Sequence, residues 1–446
     1  MKMAAIGIEV VDAAVIAVRE GERLAASPGI ALLAAAGPVV GEAAGASARL
    51  QPMLAADRFW SDLSQDAFAG AGTLTLSHAD LVHAHLGPLW KSIAAPGDEA
   101  VFAVPATMRP HQAGLLLGIA RSLGIPVAGV VDAAVAACAG LAARPVVLHL
   151  DVQLHQAVLT ELAGHRILRR RRVEIAPRAG LKSMYAAWAQ LVSEAMVRRT
   201  RFDPLHQAAS EQQLYDRLPG WLDALASAES VDAAVDSGSG SYSATVGREQ
   251  FTLAAEAWYA QLDDLVRVLK RADEPATLAL SARAAQLPAL AVRLAAGAPE
   301  VVRLPDVAAA AGAAARAADI GPGEPPALVT ALARIHAAPG GEQRRVASPA
   351  THVIEGGRAH AIDERGIVIG HGPGEGRRIA LTGSGEGISR LHCTLERMDG
   401  RARVRDHSRY GTFVNGERVQ GAAELGAGDR LRVGTPGVVF ELIAVD

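Results

Sequence analysis

The spacing of apolar runs changes once along this 446-residue chain, and that change limits the fold more than any other feature. Up to about residue 320, strand-length apolar runs alternate with helix-length amphipathic ones. AAIGIEVVDAAVIAV (4–18), EAVFAVPA (99–106), PVVLHLDV (145–152) and ATLALSA (276–282) read as buried strands. SHADLVHAHLGPLW (77–90), with Ser77 as N-cap, RPHQAGLLLGIARSLGI (109–125) and EAWYAQLDDLVRVLKRA (256–272) read as helices. QAVLTELAG (156–164) reads as the hairpin partner of the strand before it, and a long helical region runs from about Leu181 to Leu225. This alternation predicts an α/β architecture. From residue 351 the runs shorten to GIVIG, RIALT, HCTLERM, RARVRD, TFVNGERV, DRLRVG and VVFELIAV. Glycine-rich turns punctuate them about every 8–12 residues, which predicts an all-β sandwich. Residues 321–350, with Gly, Pro and charge clusters around one helix-length run (ALVTALARIHAA), read as a linker.

Composition steps at the same place. Of 92 alanines, 84 lie in residues 1–350 and 8 in residues 351–446, as expected where helices give way to strands. The 40 Arg against 4 Lys read as a base-composition bias. A net charge of −3 argues against nucleic acid or an anionic membrane as the main partner. Two cysteines, Cys138 and Cys393, are too few for a disulfide framework or a thiolate zinc site. His83 with His85, and His149 with His155, lie at no metal-binding spacing, so no metal site is assigned to them. No apolar run is long and charge-free enough for a membrane span. Glu9 and Asp12 interrupt the apolar start where a signal peptide would carry no acid. These features predict a cytoplasmic protein of two or three domains.

Four segments of the last 96 residues follow a fixed order: IVIGHGP (367–373), GISRLHCTL (387–395), RDHSRYGTFVNG (405–416) and AGDRLRVG (427–434). Ser-Arg-x-His together with Gly-Thr-Phe-Val-Asn-Gly resembles the forkhead-associated (FHA) domain, a β-sandwich that binds phosphothreonine peptides. The resemblance spans residues 351–446. It implies that Ser389 points its hydroxyl at the phosphate, that Arg390 adds charge, and that His392 braces the loop from within. It gives Gly370, Gly411 and a tight Asn415-Gly416 turn structural roles. The expected peptide site comprises His371, Ser389, Arg390, Arg409, Tyr410 and Thr412. Two positions depart from the family pattern. Gly370-His371 stands where the family has Gly-Arg, and Tyr410 stands where it has Asn, with Arg409 beside it to restore charge. A neutral imidazole is a weaker phosphate partner than a guanidinium; losing one charge-assisted hydrogen bond costs roughly 1.5–3 kcal/mol. The other reading of this domain is a docking module without phosphate recognition.

The order of segments in residues 4–320 resembles the ATPase domain of the 70-kDa heat-shock chaperones, within the actin-like superfamily. IGIEVVDAAVIAV (6–18) is similar to its first phosphate hairpin. Residues 99–140 follow its strand, V-P-A, helix, strand and alanine-rich helix, and residues 244–297 its late hairpin, helix, strand and helix. The resemblance implies two lobes, about 1–143 and 144–320. Nucleotide binding in that superfamily needs glycine turns, since only a residue without a side chain lets backbone N–H groups reach phosphate. Where the family has D-L-G-T-T, this chain has Glu9-Val10-Val11-Asp12-Ala13. Where it has D-L-G-G-G-T, this chain has Asp151-Val152-Gln153-Leu154-His155-Gln156. The late Gly-Gly falls near Ser281-Ala282-Arg283-Ala284. Bulky and acidic residues at these turns block and repel phosphate. A pseudo-ATPase without cofactor is therefore expected, with Glu9, Asp12 and Asp151 as its degenerate site. The alternative is ATP with Mg²⁺ held on those carboxylates.

The combined expectation is a non-catalytic scaffold or adaptor. It would bind a phosphorylated or FHA-docking protein through residues 351–446 and a second protein through the actin-like domain. An ATP-binding chaperone-like protein regulated by phosphopeptides and a purely structural subunit are the alternatives.

Overall fold

The computed structural model describes residues 5–67, 76–141, 144–238, 240–269, 276–296, 300–321, 327–334, 350–355, 358–372, 376–381, 387–398, 400–414, 417–419, 421–427, 429–435 and 437–445. The chain forms two compact units, Met1–Ala337 and Ala338–Asp446.

The first unit is built on two six-stranded mixed sheets. The first sheet runs in the order Glu22–Ser27, Ala14–Arg19, Ala5–Val11, Glu99–Val104, Val127–Asp132, Leu328–Val329. Its first three strands form an antiparallel meander, and the others lie parallel to Ala5–Val11. In the second sheet Ile167–Ala176, Ala157–Ala163 and Val146–Val152 form the meander, and Ala276–Leu280 and Glu300–Arg303 follow in parallel. Five strands of each sheet thus share one order and one set of directions, so the unit repeats a topology. Every residue of Val146–Val152 and Ala157–Ala163 is buried, the pattern of strands covered on both faces.

The alanine excess has a specific use between the sheets. The alanine-rich helices Ala133–Cys138 and Ala308–Ala315 share one buried cluster with Val101, Ala103 and Val131 of the first sheet and Val147, Leu162 and Ala279 of the second. Small residues let the backbones nearly touch. A Cβ on Gly312 would lie 2.0 Å from the Ala136 carbonyl oxygen, and one on Gly7 would lie 1.8 Å from that of Ala310.

The expected linker differs from what is found. Within 321–350, Leu328–Val329 pairs in parallel with Val127–Asp132, and Ala331–Ala333 pairs with Ile167–Arg169. One short segment therefore adds an edge strand to each sheet, and the first unit extends past residue 320. The helix-length run read there is broken into two strands because both sheets offer unpaired edges, and tertiary pairing overrides local propensity. The long helical region after Leu181 divides into Leu181–Thr200 and Ala208–Ala224, parted where Arg201 adopts a left-handed φ of 64°.

The second unit is a β-sandwich. One sheet runs Arg358–Ala361, His352–Glu355, Gly437–Ile443, Arg430–Gly434, Thr412–Val414, Glu417–Arg418; the other runs Arg378–Leu381, Ile367–His371, Cys393–Met398, Arg401–Asp406, Ala422–Leu425. Inward residues of both sheets, among them Ile369, Leu395, Val404, Leu431 and Phe440, form its core. Among the described residues no helix is long and apolar enough to cross a membrane.

Candidate functional site

Three turns of the sandwich meet: the one that follows Ile367–His371, the one that precedes Cys393–Met398, and the one between Arg401–Asp406 and Thr412–Val414. Gly370 makes the first contact sterically possible, because a Cβ there would lie 2.0 Å from the Arg390 carbonyl oxygen. The backbone N–H of His371 donates to the Ser389 carbonyl at 3.1 Å. His392 is fully buried behind the second turn. The Ser389 N–H donates to its Nδ1 at 3.0 Å, and its Nε2 lies 3.1 Å from the Gly411 carbonyl oxygen. Since Nδ1 accepts, the proton sits on Nε2 and is donated to Gly411. Burial lowers the His392 pKa and keeps the ring neutral.

The third turn is held from below by Asp406. Its Oδ1 accepts from the Ser408 N–H at 3.0 Å, the Ser408 hydroxyl at 2.7 Å and the Thr412 hydroxyl at 2.8 Å. Burial works to raise the Asp406 pKa, but these hydrogen bonds outweigh it and bring it below the ordinary value. Gly411, at a left-handed φ of 85°, donates its N–H to Ser408 Oγ at 2.8 Å.

These braces leave a defined set of groups outside. The Arg409 N–H donates to Ser389 Oγ at 3.3 Å, which links the second and third turns and leaves the hydroxyl proton of Ser389 free to donate. Arg390, Arg409 and Tyr410 are exposed, and His371 is half-buried. Among the described residues neither Arg390 nor Arg409 has a carboxylate partner. A hydroxyl donor on a surface that carries two exposed arginines suits a phosphate dianion. Thr412, expected at the peptide surface, is instead fully buried, with its hydroxyl committed to Asp406. The expected Asn415-Gly416 turn lies outside the described residues.

Sequence reasoning missed Arg378, the second arginine of Gly376-Arg377-Arg378. It sits on the strand beside Ile367–His371. Its Nε donates to the Gly372 carbonyl at 3.0 Å, and its Nη2 donates to the carbonyls of His371, at 3.3 Å, and Arg390. A strand position in a charged run was the only available signal.

In the first unit, Glu9 and Asp151 are brought together across the two sheets, with Arg283 between them. Arg283 Nη2 donates to Glu9 Oε1 at 2.6 Å; Nε and Nη2 each reach an oxygen of Asp151 at 3.1 Å. All three are buried or nearly so. Burial raises the Glu9 pKa, which Arg283 offsets only in part. For Asp151 burial acts in the same direction, but Arg283 together with His149 and the hydrogen bonds from Ser281 and Gln153 outweighs it, and the pKa falls. Asp12 does not join this group. Its Oδ1 accepts from the backbone N–H of Trp60 at 3.1 Å and of Ser61 at 3.2 Å, and burial raises its pKa to about 6.

The turn after Asp151 is also engaged by the protein itself. The carbonyls of Gln153, Leu154 and His155 accept from the N–H groups of Leu181, Lys182 and Arg178. Lys182 Nζ and His155 Nε2 reach the Asp57 carboxylate at 2.5 and 3.3 Å, tying the first sheet's side to the second's. Beside Arg283 lies a cavity of about 200 Å³, lined in part by Glu9, Asp151, Tyr185, Ser281 and Leu287. Small-molecule sites usually enclose roughly 300–1,000 Å³.

No match is found among curated proteins. Residues 367–434, which contain all three converging turns, match the family model of the FHA domain, so the second unit carries an FHA domain, a module that binds phosphothreonine peptides of partner proteins.

Proposed function

We propose that this protein is a non-catalytic adaptor that captures a threonine-phosphorylated partner through its FHA domain. The observation that carries the reading is the Ser389 hydroxyl, tied to the Arg409 backbone and next in the chain to Arg390, with neither arginine paired to a carboxylate among the described residues. A dianionic phosphate would accept a hydrogen bond from the hydroxyl and pair with both guanidinium groups. The test is fluorescence anisotropy with a degenerate peptide pool centred on phosphothreonine, against the same pool with threonine. Saturable binding of the phosphorylated pool is expected, weakened at least tenfold in the double variant Ser389→Ala with Arg409→Ala. No binding, or binding indifferent to the two substitutions, favours a structural subunit.

The first unit is read as an actin-like domain of two lobes that has lost nucleotide chemistry and serves as a second protein-binding surface. The repeated strand order of its sheets supports the fold. The Arg283 guanidinium, standing between the two surviving acids, supports the loss of nucleotide chemistry: it already supplies those acids with the positive charge that a nucleotide's metal ion would bring. Calorimetric titration with Mg-ATP on the same preparation should give no heat of binding. Tight ATP binding would return the chaperone-like alternative to first place.

A further inference from the structure

The first of the three turns has His371 beside Gly370, and its one arginine, Arg377, is paired with Asp363, yet the structure places a second arginine behind it. Arg378 reaches from the neighbouring strand with its guanidinium against the carbonyls of His371, Gly372 and Arg390. Those three carbonyls belong to two different turns, the one bearing His371 and the one bearing Ser389 and Arg390. A guanidinium offers five N–H donors in a rigid plane. Here Nε and Nη2 are committed to the carbonyls, while Nη1 has no partner among the described residues. The group therefore does two things at once. It ties the two turns into one surface, and it holds a permanent positive charge within hydrogen-bond distance of the backbone that carries Ser389 and Arg390. The absence of a Cβ at Gly370 lets the turns close to the distance that one guanidinium spans.

We propose that Arg378 is the positioning residue of the phosphate site and the source of the positive charge that His371 does not supply. The inference rests on the phosphothreonine reading above. It assigns this FHA domain a cation that enters from the adjacent strand rather than from the turn itself. Binding should then be insensitive to the protonation of His371. It should instead depend on the charge and the planar fork of residue 378, because a lysine keeps the charge but has no planar fork to span three carbonyls.

The test uses the full chain and the same fluorescent phosphothreonine pool, titrated at pH 6.0 and pH 8.0 and at two salt concentrations. Arg378→Gln is expected to weaken binding at least tenfold and to flatten its salt dependence. Arg378→Lys should fall between Gln and wild type and keep the salt dependence. His371→Ala should stay within about threefold of wild type at both pH values. Thermal unfolding of the second unit in each variant separates lost binding from lost folding; the Lys variant carries the comparison if the Gln variant does not fold. Arg378→Gln binding like wild type overturns the assignment and leaves the phosphothreonine reading standing. So does wild-type binding that tightens at pH 6.0 and vanishes in His371→Ala. Failure of wild type to prefer the phosphorylated pool overturns both.

Discussion

At the scale of single residues, much of the first unit's pH response comes from groups held in one protonation state. His85 is buried, accepts from Trp60 Nε1 through Nδ1 at 3.2 Å, and so donates from Nε2 to Ser27 Oγ at 2.7 Å. Burial pushes its pKa down to about 4. The unfolded chain binds a proton near the ordinary value of about 6.5, so His85's contribution is complete above that pH and is lost as the pH falls toward 4. Asp12, raised to about 6 by burial, responds in the opposite direction. A difference measurement therefore isolates the histidine. The stability gap between wild type and His85→Gln, by urea unfolding, should shrink by about 3 kcal/mol between pH 7 and pH 4. Arg283 makes a second prediction. Arg283→Met leaves Glu9 and Asp151 buried without a cation and should cost about 3–5 kcal/mol at pH 7. The same substitution with Glu9→Gln and Asp151→Asn already present should cost far less, again by urea unfolding.

At the scale of elements, the segment Leu328–Ala333 joins two sheets with six residues. Leu332 is 2% exposed and packs with Leu168, Val147 and Leu162. Leu332→Ala should lower stability by about 2–4 kcal/mol, measured by thermal or urea unfolding. This segment was not legible in the sequence, because strands of two and three residues are too short for any hydropathy period, and alanine-rich text reads as helix. The longer elements were legible. Ser77 caps its helix, accepting from the Asp80 N–H at 3.2 Å, and the strand Val146–Val152 and its hairpin partner stand where the apolar runs put them. The candidate sites were legible in part. Ser389, Arg390 and His392 belong to one short motif, so their proximity could be read directly. Arg283 lies 274 positions from Glu9 and 132 from Asp151, so no local pattern announces the ion pair. Thr412 was misplaced because the motif gives its neighbours but not which strand face it occupies.

At the scale of the whole molecule, two units with separate cores carry the two readings. Among the described residues, the second unit's core is built from residues between Ala350 and Leu442. Separate cores unfold separately unless an interface couples them. Calorimetry should resolve two transitions, and a phosphothreonine ligand should raise the midpoint of only one. The edge strand supplied by Leu328–Val329 bears on how the first unit comes to be made. Its partner Val130 leaves the ribosome about two hundred residues earlier, and elongation at roughly 5–20 residues per second makes that a delay of about 10–40 s. Throughout that interval the strand Val127–Asp132 has an open side, able to pair with any other extended chain. The first sheet is thus finished only after five of the second sheet's six strands have been synthesised, and the nascent protein has a window in which an intermolecular strand competes with its own.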